Sequence, residues 1–563
     1  MTGFEAPRFD GPATLVADDG GSAAAGDDVE SVKQNGGSSQ TLLVEGLERV
    51  VEAQTTFKGS WELFVENSGV SAMHLVLLPK IDQALIFDAT VWKKSKLKLP
   101  GPPCRKVEGT NEEDCWCHSI LLDVETGNIK PLRIEHDTWC SSGALDANGR
   151  LISTGGFANG SDTIRILDIA PNSDWIEYPG ALGNGRWYAT QVTLADGQFM
   201  VFGGRGAPTS RTICTHSFTF QPTANSSSSP NNPLDFLNPN NDKSSTSSQF
   251  SPTAPATIRL RERRTTRTQR PKNCGPRCSS RGTPIVPAWI SRNYPASGSS
   301  CLLPIILNPN ENRRVIPAEV LVCGGTAHDA YPKAEKLRPK VFVPGNTDCA
   351  RMDITKRNGK WKINNMPSAR LVGDAVVLPT GDVLLVNGAK TGAAGFDNAR
   401  EPNLNPVLYK FKSDGTGSKF TVMNPSNIPR MYHSSFAVLP DVRVEKFSPH
   451  YLDPNLAQFR QEIVVEQSDN KVKYGQKFTV QIRLGGAINE TKLQVTIYSP
   501  PFTTHGVAMN QRLVQLGILE FNNGKLVLQA PMNGNIAPPG YYMLFVNYNG
   551  VPCRRSIWIQ ILP

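Results

Sequence analysis

The sequence predicts an all-β protein: a seven-bladed kelch-type β-propeller, two of its blades disrupted, followed by a C-terminal immunoglobulin-like β-sandwich. Three observations predict it. A strand, a tight turn and a second strand ending in glycine recur along the chain, and the first two Gly-Gly endings, at Gly156 and Gly204, lie 48 residues apart; kelch blades repeat at about 50 residues. Glycine (48) and proline (43) are abundant, which suits short strands and many turns. From about residue 443 the repeat gives way to runs that alternate with period two, separated by turns, as sandwich strands do.

Residues 1–41 are mostly Gly, Ala, Ser and Asp and are expected to be disordered. Ordered structure is expected to begin at Trp61-Glu-Leu-Phe64. His74-Leu-Val-Leu-Leu and Gln83-Ala-Leu-Ile-Phe then form a strand, turn and strand. The repeat ending follows as Leu151-Ile-Ser-Thr-Gly-Gly156, Phe199-Met-Val-Phe-Gly-Gly204, Val320-Leu-Val-Cys-Gly-Gly325 and Asp382-Val-Leu-Leu-Val-Asn-Gly388. Continuous Val/Leu runs suit strands buried on both faces, as stacked blades require.

Two places break the repeat. Gly204 and Gly325 are 121 residues apart, and the missing blade should lie between them. Instead 209–290 holds a Ser/Asn/Pro tract, an arginine run and Cys274-Gly-Pro-Arg-Cys278, with no strand-turn-strand. A disordered insertion, a two-cysteine metal site and a stretch translated out of frame compete here, and the last is preferred. The second break follows Ser434-Ser-Phe-Ala-Val-Leu-Pro-Asp441, which begins as a strand but lacks the glycine turn and return strand. The last blade is expected to be truncated. The expected domains are therefore 1–41, 42–442 and 443–563. In the last, strands are expected at 473–483, 492–498, 525–529, 541–547 and 555–561.

The net charge of +9 is local: Thr257 to Arg281 holds eight Arg and one Lys against one Glu, leaving the rest near +1. A nearly neutral body argues against electrostatic binding of nucleic acid. There is no apolar run of about 18 residues, so no transmembrane span is expected. Eleven cysteines are compatible with an oxidising compartment. Three Asn-x-Ser/Thr sequons, at Asn159, Asn225 and Asn489, add little by themselves. The first residues, MTGFEAPRFD, show no signal peptide.

Chemistry is concentrated in a few side chains. Cys140 precedes one repeat strand and Tyr188 the next, so two repeats bring redox-active groups to the same position. Tyr432 and His433 sit before a later strand. His505 lies in a loop of the C-terminal region from which it can reach the propeller axis. Adjacent strand residues point to opposite faces, so Tyr432 and His433 share a ligand only if the backbone kinks there. Two imidazoles with oxygen donors suit Cu(II). Singly, each residue has an ordinary explanation: a buried small cysteine, packing tyrosines, a solvent-facing loop histidine. Their value is joint.

Together Asp137-Thr-Trp-Cys140-Ser-Ser-Gly, Gly185-Arg-Trp-Tyr188, Arg292-Asn-Tyr-Pro-Ala-Ser-Gly298, Arg430-Met-Tyr-His433-Ser and Thr504-His505 with Met509-Asn-Gln-Arg512 resemble the copper-radical oxidases. The resemblance is to the plant glyoxal oxidase (aldehyde oxidase) branch, related to galactose oxidase. It covers about 42–208, 291–441 and 443–563, leaving out 209–290. It implies one copper ion held by Tyr188, Tyr432, His433 and His505. It also implies a self-derived radical cofactor in which Tyr188 is joined to Cys140 through a thioether. Tyr432 would accept the substrate proton, the Tyr188 radical would remove a hydrogen atom, and dioxygen would leave as hydrogen peroxide. Aldehydes such as glyoxal and methylglyoxal would give carboxylic acids. A galactose-oxidase-like oxidase of primary alcohols or carbohydrates and an inactive kelch-type scaffold are the alternatives. The family also implies secretion, small-molecule and O2 partners, and a monomer.

Overall fold

Apolar runs of Val, Leu, Ile and Phe, bounded by glycine-containing turns, fold here as short antiparallel strands. The structure is a computed structural model that describes residues 55–107, 109–170, 172–204, 291–292, 294–310, 315–356, 358–412, 418–439, 447–486 and 488–563, together with the backbone of strand Phe218–Phe220. Among the described residues there is a single α-helix, Ala330–Lys336, against more than thirty strands. The chain is all-β.

Five sheets are up-and-down meanders. The first joins His74–Leu78, Gln83–Phe87, Ser119–Asp123 and Ile129–Leu132. The second joins Ser142–Leu145, Leu151–Thr154, Ile164–Leu167 and Ile176–Tyr178. Thr190–Thr193, Phe199–Phe202 and Phe218–Phe220 make the third. The fourth is Ser299–Leu302, Glu319–Cys323, Asp348–Asp353 and Lys362–Asn365; the fifth is Asp374–Val377, Val383–Val386, Val407–Tyr409 and Phe420–Val422. The second-position strands are the buried Val/Leu runs of the repeat, Val383–Val386 being buried throughout.

The repeat glycines have a structural task. Gly155, Gly156, Gly324, Gly325 and Gly388 all have positive φ, a region glycine enters without steric cost. Their N–H groups reach forward to the next repeat: Gly156 donates to the Arg186 carbonyl (3.2 Å), Gly325 to that of Arg370 (2.9 Å) and Gly388 to that of Arg430 (2.7 Å). Each meander's end is thus tied to the start of the following one.

The last 100 or so residues form two further sheets. One runs Ile305–Ile306, Arg512–Leu516, Leu493–Ser499, Gly540–Tyr548, Ile557–Leu562, Lys471–Lys473, and the other Glu462–Ile463, Lys477–Arg483, Lys525–Gln529, Ile518–Asn522. Lys477–Arg483 and Ile557–Leu562 alternate buried and less buried positions, as the period-two pattern predicts. Both sheets contribute to one apolar cluster that continues into the first, fourth and fifth meanders.

Two readings of the repeat need correction. Residues 209–290 do contain a strand, Phe218–Phe220, which pairs with Phe199–Phe202; the rest of that segment, with the arginine run and the Cys274/Cys278 pair, lies outside the described residues. Residues 434–439 form no strand. The Ser435 hydroxyl donates to the Ala72 carbonyl (2.6 Å), and the Phe436 carbonyl accepts from Thr503 Oγ1 (3.0 Å), so side chains take the place of a ladder. Residues 440–446, where the last repeat breaks off, and residues 1–54 also lie outside the described residues.

Candidate redox and metal site

The site is assembled where the meanders' first strands begin, around a hairpin from the C-terminal region. Phe502–Thr504 and Val507–Met509 pair with each other, and Phe502–Thr504 also pairs with His74–Leu78, Thr504 lying opposite His74. The hairpin strands touch the first strands of all five meanders. His505 and Gly506, at its tip, both have positive φ (37° and 82°), as a two-residue type I′ turn requires. The following residues fasten it. Asn510 Nδ2 donates to the Gly143 (3.3 Å) and Gln191 (3.2 Å) carbonyls, and its Oδ1 accepts from Thr193 N (2.9 Å). Gln511 bonds Val377 N (2.8 Å) and the Ala375 carbonyl (2.9 Å). Against the hairpin, Gly143 has no room for a side chain: a Cβ there would lie 2.5 Å from the Phe502 ring.

Around His505 converge the side chains singled out by the sequence. The Cys140 Sγ is 3.0 Å from His433 Nε2, and the Tyr188 and Tyr432 hydroxyls are 2.6 Å apart. The His505 ring lies 4.9 Å from that of Tyr188 and 5.4 Å from that of His433, centre to centre. Tyr188 N donates to the Cys140 carbonyl (3.2 Å), so the two repeats are joined by backbone at that point. The kink required at Tyr432-His433 is present, for His433 has φ 67°. Cys140 (55°) and Tyr188 (63°) share this left-handed conformation, which costs a non-glycine residue of order 1–3 kcal/mol and clusters at functional sites.

Cys140, His433 and His505 are buried, whereas Tyr188 and Tyr432 are partly exposed, so the site opens at its phenols. Burial sets the protonation. It lowers His505 to about 4 and holds His433 well below the usual range, so both imidazoles are neutral at pH 7. His433 Nδ1 faces the Met73 carbonyl (3.3 Å); a proton on Nδ1 leaves the Nε2 lone pair directed at the site. Burial raises Cys140, Tyr188 and Tyr432 well above their ordinary values. His505 Nε2 is buried with no hydrogen-bond partner.

Among the described residues no group of three or more His, Cys, Asp or Glu side chains forms a metal site. The cluster has another composition, two neutral imidazoles and two phenols with a thiol beside them. An unpartnered imidazole nitrogen and phenols that share one short hydrogen bond are electron-rich groups facing one another. This donor set fits Cu(II), which accepts imidazole nitrogen and anionic oxygen.

Some neighbours carried no assigned role in the sequence reading. Tyr294 stacks on Tyr188 at 4.2 Å, and burial pushes its phenol up to about 12. The indole of Trp187 lies 4.9 Å from the Tyr188 ring. His74, which burial lowers to about 3, has its ring 5.9 Å from that of His433. A signal for Tyr294 does exist: Arg186-Trp-Tyr188, Arg292-Asn-Tyr294 and Arg430-Met-Tyr432 share the spacing Arg-x-Tyr. The structure explains the arginine. Arg186 donates to the Gly203 carbonyl (2.8 Å), Arg292 to that of Gly324 (2.5 Å) and Arg370 to that of Asn387. A buried guanidinium therefore ties the start of each of these meanders to its own glycine ending.

Comparison with known proteins agrees with this architecture. The family model described as "Glyoxal oxidase N-terminus" matches residues 73–252 and 278–451, and "Galactose oxidase-like, Early set domain" matches 460–561. This narrows the stretch outside the family pattern from 209–290 to 253–277. The chain is 41% identical to "Aldehyde oxidase GLOX1" of Arabidopsis thaliana, over 90% of this chain and 85% of that protein. It is 31% identical to "Aldehyde oxidase GLOX" of Vitis pseudoreticulata, over 92% of this chain and the whole of that protein. Among solved structures, a "novel fungal alcohol oxidase with catalytic diversity among the AA5 family, in complex with copper" shares the fold, with TM-score 0.58 and 21% identity over 90% of this chain and 100% of that one. Fold and relatives define the class, an oxidoreductase. The chain belongs to the glyoxal oxidase family.

Proposed function

We propose that this protein is a copper-radical oxidase that converts aldehydes, glyoxal and methylglyoxal among them, into carboxylic acids while reducing O2 to H2O2. The observation that carries the reading is the convergence of Cys140, Tyr188, Tyr432, His433 and His505 from four separate stretches of chain, with the Tyr188 and Tyr432 hydroxyls 2.6 Å apart. His433 and His505 would hold copper through nitrogen, and Tyr188 and Tyr432 through oxygen; bound copper would supply a one-electron acceptor beside an oxidisable phenol. Tyr432 Oη is the base that takes the substrate's hydroxyl proton. Tyr188 Oη, carrying the radical, takes the hydrogen atom. The aldehyde hydrate loses two electrons and two protons, and O2 receives both, so that RCH(OH)2 and O2 give RCOOH and H2O2. The Cys140 thiol, which interacts with the Tyr188 hydroxyl, is the partner for a thioether on the Tyr188 ring.

The architecture we propose is a seven-bladed kelch-type propeller, of which the five meanders are part, with an immunoglobulin-like sandwich beyond about residue 443. Two disulfides, Cys104–Cys115 and Cys323–Cys349, support an extracellular location, since such bonds persist in oxidising compartments. No described helix is long and apolar enough to cross a membrane.

Copper and oxygen treatment should lower the intact mass by two hydrogens, and Cys140→Ser should abolish that loss. Peroxide release from the copper-loaded protein given methylglyoxal, glyoxal or galactose tests the reaction. No mass loss and no peroxide would sink the reading.

A further inference from the structure

The phenols do not open straight into solvent. They open onto a circuit of aromatic rings. From Tyr188 it passes to Trp187 (4.9 Å between ring centres), Trp139 (5.0 Å), Trp92 (4.9 Å), Phe396 (5.0 Å) and Tyr432 (5.3 Å). The 2.6 Å contact of the two hydroxyls closes it. Consecutive rings are tilted or edge-to-face, the arrangement aromatic quadrupoles prefer. The outer members are exposed, Trp92 by 37% and Phe396 by 43%. Large apolar rings left in water beside a reactive centre mark a ligand-binding surface. A second observation points the same way: the indole N–H of Trp139 is buried without an acceptor. A buried donor of this kind is unusual and calls for an oxygen from outside the chain.

The collar is built by the motif that carries the cysteine. The buried Asp137 carboxylate accepts from Thr90 Oγ1 (2.7 Å), Val91 N (3.0 Å) and Trp139 N (2.9 Å). One side chain therefore pins the Thr90–Trp92 turn, and with it Trp92, to the loop that presents Trp139 and Cys140. Asp137 is a positioning residue.

We propose that this collar selects aldehydes bearing a flat apolar group, aryl or conjugated, over polyhydroxylated substrates. The reacting carbon lies at the phenols, the apolar group lies between Trp92 and Phe396, and a substrate oxygen accepts from Trp139. Specificity then resides in Trp92 and Phe396. The inference rests on the oxidase reading for its chemistry but not for its binding surface.

The test has two parts. With copper-loaded protein, kcat/KM is compared for phenylacetaldehyde, glycolaldehyde and galactose in wild type, Trp92→Ala and Phe396→Ala. Phenylacetaldehyde should be preferred, and each variant should raise its KM about tenfold with kcat nearly kept, leaving glycolaldehyde little changed. With copper-free protein, acetophenone is titrated against tryptophan fluorescence. Quenching should saturate in wild type and weaken about tenfold in Phe396→Ala, which retains every indole. Equal use of the three substrates, preference for galactose, or no effect of Phe396→Ala would overturn the proposal. If no substrate yields peroxide, the oxidase reading fails, and the titration alone decides the collar: saturable binding weakened by Phe396→Ala upholds it, and its absence overturns it.

Discussion

At the scale of the residue, the protein places groups where they are costly by themselves and useful together. Cys140, Tyr188, His433 and His505 all have positive φ, and His505 Nε2 is buried without a partner. Buried neutral histidines give a testable pH dependence. Burial lowers His505 to about 4 and His74 to about 3. Unfolding returns each to a pKa of about 6.5, so below that pH the unfolded chain binds more protons. Stability of the copper-free protein should then fall as pH drops from about 6.5 towards 4, by about 1.4 kcal/mol per unit for each histidine. His118 acts in the opposite sense. Burial disfavours its charge, but hydrogen bonds to Asp114 (3.0 Å) and Asp88 (2.7 Å) prevail and raise it to about 9. Its contribution is complete below about 6.5 and is lost as pH rises through 9. Urea midpoints across this range should pass through a maximum, and His118→Gln should flatten the alkaline side. A featureless profile would contradict both assignments.

At the scale of the element, the hairpin and the arginine ties decide whether the site forms. Gly143→Ala would press a methyl group into the Phe502 ring. It should cost about 1–3 kcal/mol and weaken copper binding by shifting the hairpin that carries His505; calorimetry and copper titration measure the two effects. Arg186→Met keeps length and apolar volume but leaves the Gly203 carbonyl without its guanidinium donor. A loss of about 1–3 kcal/mol in urea unfolding is expected. An unchanged midpoint would show that the tie is dispensable. The glycine endings were legible in the sequence because positive φ demands glycine. The arginines were legible only as an unexplained companion of Tyr188, Tyr294 and Tyr432, since a guanidinium binding a carbonyl leaves no periodic trace.

At the scale of the whole molecule, residues 50–563 form one compact unit, and one apolar cluster runs from the meanders into the C-terminal sheets. Thr496 Oγ1 (2.9 Å) and Asn547 Nδ2 (3.1 Å) both donate to the Pro379 carbonyl in a meander turn. Meanders and C-terminal sheets should therefore unfold together. Fluorescence and far-UV dichroism are expected to give coincident urea transitions, and a chain ending near 442 should lose copper binding because it lacks His505. Separate transitions would show that the two parts are energetically independent. By itself the sequence determined the strands, the glycine turns, the change of pattern near 443 and the identity of Cys140, Tyr188, Tyr432, His433 and His505. These follow from local rules: period, turn chemistry and residue type. Only the tertiary structure decided that a hairpin reaches the meanders' first strands, that Phe218–Phe220 completes a sheet, and that Trp92, Trp139 and Phe396 close a collar over the phenols. Those depend on contacts between residues distant in the chain, which burial of apolar surface selects and which no local pattern records.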